Sequence, residues 1–269
     1  MRYYGMTDIG KKRNSNQDSF ACRTIASDAL LCVVCDGMGG ARGGAVASAV
    51  ALEAFCKRCE LFFDAFGNTV PSVGEITDAL AHAVNDANFA VWQKALCDAA
   101  LYGMGTTLVA ALFYKRMMYA VNVGDSRLYH MANGSPLQIT RDHSLVQHLI
   151  DSGKLTIAEG KRYPNRNVIT RCIGGEKNVA ADIFPTPLCP QGGYVLLCSD
   201  GLSNYLSPSQ LYETVTGAHS DILCPQDALT ARVGALISLA NEAGGGDNIT
   251  ALVVGYESAA AADAAQTKA

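Results

Sequence analysis

Short apolar segments joined by tight turns are the feature that most limits what this chain can fold into. Eight segments have the length and apolar content of β-strands: 3–7, 19–24, 30–35, 107–114, 117–123, 127–132, 193–198 and 249–256. Several of them follow one another within a few residues, and the pair Asn133-Gly134 is a strong hairpin signal. We therefore predict sheets that are mainly antiparallel.

Two pairs of amphipathic helices are predicted, one pair after each cluster of strands. Residues 43–59 and 75–96 form the first pair, and residues 207–215 and 225–245 form the second. Because sheets and helices must bury their apolar faces against one another, two sheets should pack together with helices covering both outer faces. The predicted fold class is α+β, a four-layer α/β/β/α sandwich with two mainly antiparallel sheets packed face to face.

The 269 residues are expected to form one domain over residues 1–257. Residues 144–175 have a mixed and polar composition, which predicts a small flap inserted into that domain. The alanine-rich tail, residues 258–269, is excluded from the predicted fold and is expected to be disordered.

Composition excludes several classes of function. With 49% hydrophobic and 17% charged residues the chain is globular, and a net charge of -4 argues against a nucleic-acid surface. The sequence has neither a signal peptide nor an apolar stretch of about 20 residues, so we expect a cytoplasmic protein without a membrane span.

Four of the ten cysteines have a spacing close to that of a zinc ribbon. Cys32, Cys35, Cys56 and Cys59 form a C-x2-C-x20-C-x2-C pattern. However, Cys32 and Cys35 lie in an extended segment, where positions three apart face opposite sides, and the second pair lies late in a helical segment. Reduced thiols in the core are therefore the preferred interpretation.

Aspartates stand at the ends of the most apolar strands. Asp36, Asp200 and Asp247 border such strands directly, and Asp18 and Asp125 lie beside two others. Each alone is compatible with an ordinary turn residue. Together, half-buried carboxylates need compensating positive charge, and a set of oxygen ligands without histidine or cysteine selects Mg²⁺ or Mn²⁺.

A series of motifs gives the chain a recognisable resemblance. In order along the sequence they are RNSNQDSF, DGMGG, GTTLVAAL, VGDSRLY, TRDHS, VITRCIGG, LLCSDGL and GDNIT. This series resembles the PP2C type (PPM) of metal-dependent protein serine/threonine phosphatase in its compact bacterial form. The resemblance covers residues 7–257 and implies hydrolysis of phosphoserine and phosphothreonine by direct attack of a metal-bridging water.

The resemblance also implies a set of metal ligands. Asp36 would bridge two ions of Mn²⁺ or Mg²⁺, Asp200 and Asp247 would complete the first, and the carbonyl of Gly37 would reach the second. Glycine at position 37 suits that role because it exposes its carbonyl.

Further residues have implied roles around the two ions. Asp18 would act in the outer shell through a bound water, and Asp125 with Asp200 would hold a third, weaker ion. Arg13 matches the phosphate-binding arginine of the family, and its guanidinium fork suits two phosphate oxygens. A solvated charge within the basic run of residues 11–13 is the alternative interpretation of Arg13.

Two positions depart from the family pattern. Met38 stands where the eukaryotic branch has a histidine that acts as general acid, and a thioether cannot donate a proton. The sequence therefore assigns no residue to protonation of the leaving group, and a metal-bound water is our hypothesis for that role. Gln17 stands where many members have glutamate, which weakens one carboxylate contact or replaces it with an amide.

Two other interpretations of these motifs fit the sequence less well. Asp142, His143 and Ser144 are consecutive and cannot converge as a hydrolase triad, so His143 is interpreted as an anchor at the start of the flap. A nucleotide-binding loop is disfavoured because Arg42 occupies the place of the third glycine.

Two functional alternatives remain open at this point. One is a pseudophosphatase that binds phosphoproteins without cleaving them, although such a protein is expected to lack a metal-binding acid. The other is a dedicated phosphatase of an anti-anti-sigma factor. The expected partners are phosphoserine and phosphothreonine proteins and an opposing serine/threonine kinase, without nucleic acid or membrane, and the protein is expected to be a monomer.

Overall fold

Two antiparallel sheets form the centre of the molecule in the computed structural model, which describes residues 1–67, 69–217 and 225–260. The strands are β1 Arg2–Asp8, β2 Asp18–Ala26, β3 Ala29–Met38, β4 Gly105–Thr106, β5 Leu108–Tyr114, β6 Met117–Val123, β7 Arg127–Ala132, β8 Ser135–Gln138, β9 Asp182–Pro187, β10 Gly193–Cys198 and β11 Ile249–Tyr256. The helices are α1 Gly40–Phe66, α2 Val73–Cys97, α3 Leu145–Asp151, α4 Ile157–Gly160, α5 Asp200–Ser203, α6 Pro208–Thr216 and α7 Gln226–Glu242.

The first sheet has the strand order β1-β11-β10-β7-β8, and the second has the order β2-β3-β5-β6-β9, with β4 paired to β3. Adjacent strands run antiparallel in both sheets. The short β4 and the edge strands β8 and β9 were not predicted from the sequence. Strand β9 contains Pro185 and Pro187, which are tolerated there because an edge strand leaves one row of backbone donors unused.

Buried apolar side chains form three layers within the described part of the chain. One layer, which contains Phe55, lies between helices α1 and α2 and the second sheet. Another, which contains Phe113 and Leu197, lies between the two sheets. The remaining layer, which contains Leu196 and Val233, lies between the first sheet and helices α6 and α7. The predicted four-layer α/β/β/α sandwich is confirmed.

Strand β3 is apolar on both faces because it lies between two of these layers. Leu31 and Cys35 point to the layer beneath α1 and α2, whereas Cys32 and Val34 point to the layer between the sheets. Cys32 and Cys35 therefore lie on opposite faces of one strand, an arrangement unlike the tight turn of a zinc ribbon.

The segment predicted as a flap carries the two short helices α3 and α4. It begins and ends close together, because Ser144 pairs with Ile169 and the backbone N–H of Leu145 donates to Val168 at 2.8 Å. Of the predicted tail, residues 261–269 lie outside the described residues. Its beginning is described, and the N–H of Ala259 donates to the carbonyl of Pro190 at 2.8 Å. Of the helices that the structure describes, none combines the length and apolarity needed to cross a membrane.

Two phenylalanines test how much the layer beneath the helices contributes to stability. Phe55 in α1 is fully buried, whereas Phe89 in α2 is 48% exposed. We expect Phe55→Ala to lower the free energy of unfolding by about 3 to 5 kcal/mol, because it leaves a cavity in a packed layer. The control Phe89→Ala is expected to cost about 1 kcal/mol or less. Urea denaturation measures both, and equal losses would contradict this assignment of the layer.

Candidate active site

An open pocket of about 530 Å³ lies at the edge where strands of both sheets end. Its walls include four of the aspartates identified in the sequence and the arginine that matches the phosphate-binding arginine of the family. These residues are Asp36, Asp125, Asp200, Asp247 and Arg13. Residues separated by more than 200 positions thus meet in one cavity with an acidic floor and a basic rim.

The antiparallel topology brings these acids together. Asp18 at the start of β2 lies directly opposite Asp36 near the end of β3. Asp200 follows the end of β10, and Asp247 precedes the start of β11, which pairs with β10. Because neighbouring antiparallel strands end and begin at the same edge, all four carboxylates reach one side of the sandwich.

Two threonines fix the backbone of Asp36 without using its carboxylate. The N–H of Asp36 donates to Thr107 Oγ1 at 3.0 Å, and its carbonyl accepts from Thr106 Oγ1 and the N–H of Thr107, each at 2.8 Å. Ser126 Oγ lies 2.7 Å from Thr107 Oγ1 and continues this buried network. The threonines of GTTLVAAL therefore position the strand end that carries the acid.

Glycine is required at position 37 by close packing of the backbone. A Cβ atom built there would collide with the carbonyl oxygen of Gly44 and would lie 2.6 Å from that of Gln17. Gly39 has a φ of 121°, which L side chains rarely adopt, and its Cβ would lie 2.6 Å from the Cα of Met104. The glycines thus let strand β3 turn directly into α1 beside the pocket.

Asp18 is held by hydroxyl groups from the opposite sheet. Its Oδ2 accepts from Ser199 Oγ at 2.8 Å and from Thr250 Oγ1 at 2.6 Å. Its Oδ1 is buried without a hydrogen-bond partner among the described residues. Burial raises the pKa of Asp18 to about 6; the two hydroxyl bonds act against that rise, and the charges of Asp200 and Asp247 add to it.

Asp200 has the same combination of one satisfied and one unsatisfied oxygen. Asn204 Nδ2 donates to its Oδ2 at 3.0 Å, whereas its Oδ1 is buried and lacks a hydrogen-bond partner in the described residues. Burial and the charge of Asp247 raise the pKa of Asp200. A buried carboxyl with a raised pKa and an unpartnered oxygen is short of compensating positive charge.

Asp36 and Asp125 show the same shortage of positive charge. Burial raises the pKa of Asp36 well above its ordinary value, and the carboxylates of Asp18 and Asp200 raise it further. Burial, followed by the charge of Asp200, raises the pKa of Asp125 to about 7. These groups would be easier to ionise if a cation lay between them.

The residues fit a hard divalent cation. The cluster offers only oxygen ligands, and unpartnered oxygens of Asp18 and Asp200 are already buried at it. Within the described ranges, however, no three acidic, histidine or cysteine side chains already stand together as a metal-binding set. The acids meet at one pocket but are not close enough there to form a set of three ligands, so ligation by these residues stays a prediction.

Arg13 lies at the rim of the pocket. Its Nη2 is 2.6 Å from Oδ2 of Asp247, and its side chain is 51% exposed. The hydrogen bond to Asp247 raises the pKa of Arg13 against the opposing effect of burial. An exposed guanidinium beside an acidic floor is well placed to meet an incoming anion.

One buried amide holds the loop that carries Arg13. Asn248 Oδ1 accepts from the N–H of Gln17 at 2.9 Å, and its Nδ2 donates to the carbonyls of Ile9 and Ser15, each at 3.0 Å. Residues 9–17 are thus fastened at both ends to the residue between Asp247 and strand β11. Sequence reasoning missed this role, although the motif GDNIT contains the asparagine.

The two departures from the family pattern both lie at the pocket. Met38 and Gln17 are among the residues that line it. Gln17 Nε2 donates to the carbonyl of Gly40 at 2.7 Å, a bond that an ionised glutamate cannot make. The amide therefore secures the glycine loop at the start of α1.

The consecutive residues Asp142, His143 and Ser144 have three separate partners. Asp142 forms a bidentate ion pair with Arg127, which donates from Nε to Oδ1 at 2.9 Å and from Nη2 to Oδ2 at 2.6 Å. His143 Nε2 lies 3.1 Å from Oδ2 of Asp182, and the Ser144 side chain caps α3. These contacts place His143 at the junction between the sandwich and the flap segment.

Removing the amide of Asn248 should loosen the loop that carries Arg13. We expect Asn248→Ala to lower the free energy of unfolding by about 2 kcal/mol or more, because three backbone groups lose their partner. Amide hydrogen exchange over residues 9–17 should quicken by about tenfold or more. The control Asn14→Ala alters an exposed residue of the same loop and should change neither. Unchanged exchange in Asn248→Ala would contradict the role of this residue.

Comparison with known proteins gives independent support for the resemblance that the sequence motifs indicate. The family model described as Protein phosphatase 2C matches residues 10–233. Protein phosphatase PhpP of Streptococcus pneumoniae is 36% identical over 250 residues, which cover 93% of this chain and 95% of that protein.

Solved structures show the same similarity. Serine/threonine phosphatase Stp1 from Staphylococcus aureus has a TM-score of 0.84 at 31% identity, with 96% of each chain covered. The catalytic domain of serine/threonine protein phosphatase PstP, solved in complex with 2 manganese ions, has a TM-score of 0.75 at 31% identity. That similarity covers 94% of this chain and 96% of the PstP chain.

Proposed function

The chain belongs to the protein phosphatase 2C family and is a protein serine/threonine phosphatase, and we propose that it uses Mn²⁺ or Mg²⁺ to hydrolyse phosphoserine and phosphothreonine by direct attack of water. The observation that carries this proposal is the shortage of positive charge in the pocket. Asp18 and Asp200 each keep one buried carboxylate oxygen without a hydrogen-bond partner in the described part of the chain. A buried unpartnered oxygen is costly, and a divalent cation is the compensation that suits it.

The proposed ligands follow from position and from the family resemblance. Asp36, which the two threonines hold by its backbone, would bridge two ions, while Asp200 and Asp247 would complete the first. The carbonyl of Gly37 would reach the second. Bound divalent ions would lower the pKa of water and neutralise charge on the phosphoryl oxygens.

Two further acids have supporting roles in this proposal. Asp18 is oriented by Ser199 and Thr250, and its free Oδ1 would accept a hydrogen bond from water in the outer shell. Asp125 lies beside Asp200, whose charge raises its pKa, and would hold a third ion. The manganese ions in the PstP structure support the choice of metal.

Arg13 is proposed to bind the phosphate group. Its guanidinium is exposed at the rim and can offer two parallel N–H donors to two phosphate oxygens. Such a contact orients the phosphorus above the acidic floor, and positioning supplies much of the catalysis in phosphoryl transfer. Met38 lies at the pocket and cannot donate a proton, so water protonates the leaving group.

The physiological substrates are proposed to be phosphoproteins that a serine/threonine kinase modifies. The names of the similar proteins support a phosphoprotein substrate. Asn167 and Ile169 of the flap segment line the same pocket as Asp36, which supports a role for the flap in substrate choice.

The metal requirement can be tested with Asp200→Asn and the control Asp64→Asn, which alters an exposed acid. In EDTA, Asp200→Asn should be at least as thermally stable as the wild type, because one repelling charge is removed. In MnCl₂ the wild type and the control should gain stability by binding the metal, and Asp200→Asn should gain less. Its hydrolysis of p-nitrophenyl phosphate should fall by about 100-fold or more.

Two outcomes would contradict the metal proposal. One is wild-type hydrolysis that is the same in EDTA and in MnCl₂. The other is stabilisation of Asp200→Asn by Mn²⁺ to the same extent as the wild type.

The role of the flap can be tested by replacing residues 145–168 with a short glycine-serine link. The hydrogen bond between Leu145 and Val168 shows that the two ends already lie together. We expect kcat/KM ratios among phosphopeptides to change by about tenfold, while turnover of p-nitrophenyl phosphate stays within about threefold. Stabilisation by Mn²⁺ serves as the folding control, and equal losses for peptides and the small ester would count against this role.

A further inference from the structure

Two free cysteines face each other across the hairpin formed by β2 and β3. Cys22 and Cys32 are directly opposite in the register of the two strands. Their sulfur atoms lie 2.8 Å apart, and neither is in a disulfide. Both side chains point into the layer between the sheets.

The position of the two cysteines in the register is compatible with a disulfide. Opposed residues of antiparallel strands have Cα separations of about 4.5 to 5.5 Å, and disulfides span Cα separations of about 4.4 to 6.8 Å. The sulfurs need to approach by less than about 1 Å to reach the bond length of about 2.05 Å. Small rotations of the side chains supply that displacement.

The two thiols differ in access. Strand β2 is an edge strand and Cys22 is partly exposed, whereas Cys32 on the adjacent strand is fully buried. Burial raises the pKa of the Cys32 thiol well above its ordinary value. A small reagent therefore meets Cys22 first, and the buried Cys32 can react second because its sulfur already lies 2.8 Å from that of Cys22.

We propose that Cys22 and Cys32 form a modification site that low-molecular-weight disulfides oxidise to a cross-strand disulfide. Cys22 loses its proton and attacks one sulfur of the reagent, which forms a mixed disulfide and releases one reagent thiol. Cys32 then loses its proton and attacks the Cys22 sulfur, which releases the second reagent thiol. The protein loses two electrons and two protons, and the reagent disulfide is reduced to two thiols.

Other thiols of the region are poorly placed to compete. Cys35 points to the opposite face of β3, and Cys56 and Cys59 lie in the layer beneath the helices. The proposed bond would join the two strands that begin with Asp18 and nearly end with Asp36. It stands independently of the proposed function, because its test does not use phosphatase activity.

The test is to incubate the folded protein with oxidised glutathione, alkylate the free thiols, and map tryptic peptides without reduction. Trypsin separates Cys22 in peptide 14–23 from Cys32 and Cys35 in peptide 24–42. We expect these peptides to be linked, with Cys35 alkylated and the intact mass lowered by about 2 Da for two lost hydrogens. Cys22→Ala should abolish the link, whereas Cys97→Ala, which alters an exposed cysteine, should preserve it.

Three results would overturn the proposal. They are a stable glutathione adduct on Cys22 with Cys32 still alkylatable, a link through Cys35, and a link that forms only in urea. The wild-type peptide map decides among these results even if Cys22→Ala fails to fold.

Discussion

Repulsion among carboxylates buried at one edge of the sandwich is the constraint on which the rest of this structure depends. Asp36, Asp200 and Asp18 lie where strands of both sheets end, and burial together with like charge raises the pKa of each. An arrangement of this kind opposes folding unless hydroxyls, amides and cations compensate it. The strands therefore have to be held firmly where the acids emerge.

The strand ends and the loop around these acids are held mainly by uncharged side chains. Thr107 fixes the backbone of Asp36, Ser199 donates to Asp18, and Asn248 fastens the loop that carries Arg13. Each of these side chains comes from a different strand end or turn, so the two sheets are tied together at the pocket. Hydroxyl and amide groups orient a carboxylate without neutralising it, and its charge stays available to a ligand.

The four layers and the aspartates of the pocket could both be predicted from the same feature of the sequence, its apolar strand segments. Strands that are buried on both faces have continuous apolar segments, and an aspartate at the end of such a segment is conspicuous. Strand β9 was not predicted because its prolines argue against a strand except at the edge of a sheet. The sequence alone does not show that this segment lies at an edge. The roles of Asn248 and Ser199 could not be predicted, because single polar residues have no distinctive sequence pattern and their partners lie far away in the chain. The hydrogen bond from Gln17 to Gly40 could not be predicted either, because it forms only when the two segments meet in the tertiary structure.

The contact between Arg13 and Asp247 links the proposed phosphate-binding residue to a proposed metal ligand. In the structure the guanidinium acts as a counter-ion for an acid that is also a candidate metal ligand. A divalent ion that took over this acid would release the arginine, and the freed donors would then attract an anion. Thermodynamic linkage would make that relation reciprocal: if Asp247 holds the ion and Arg13 the anion, occupancy by either ligand would strengthen the binding of the other.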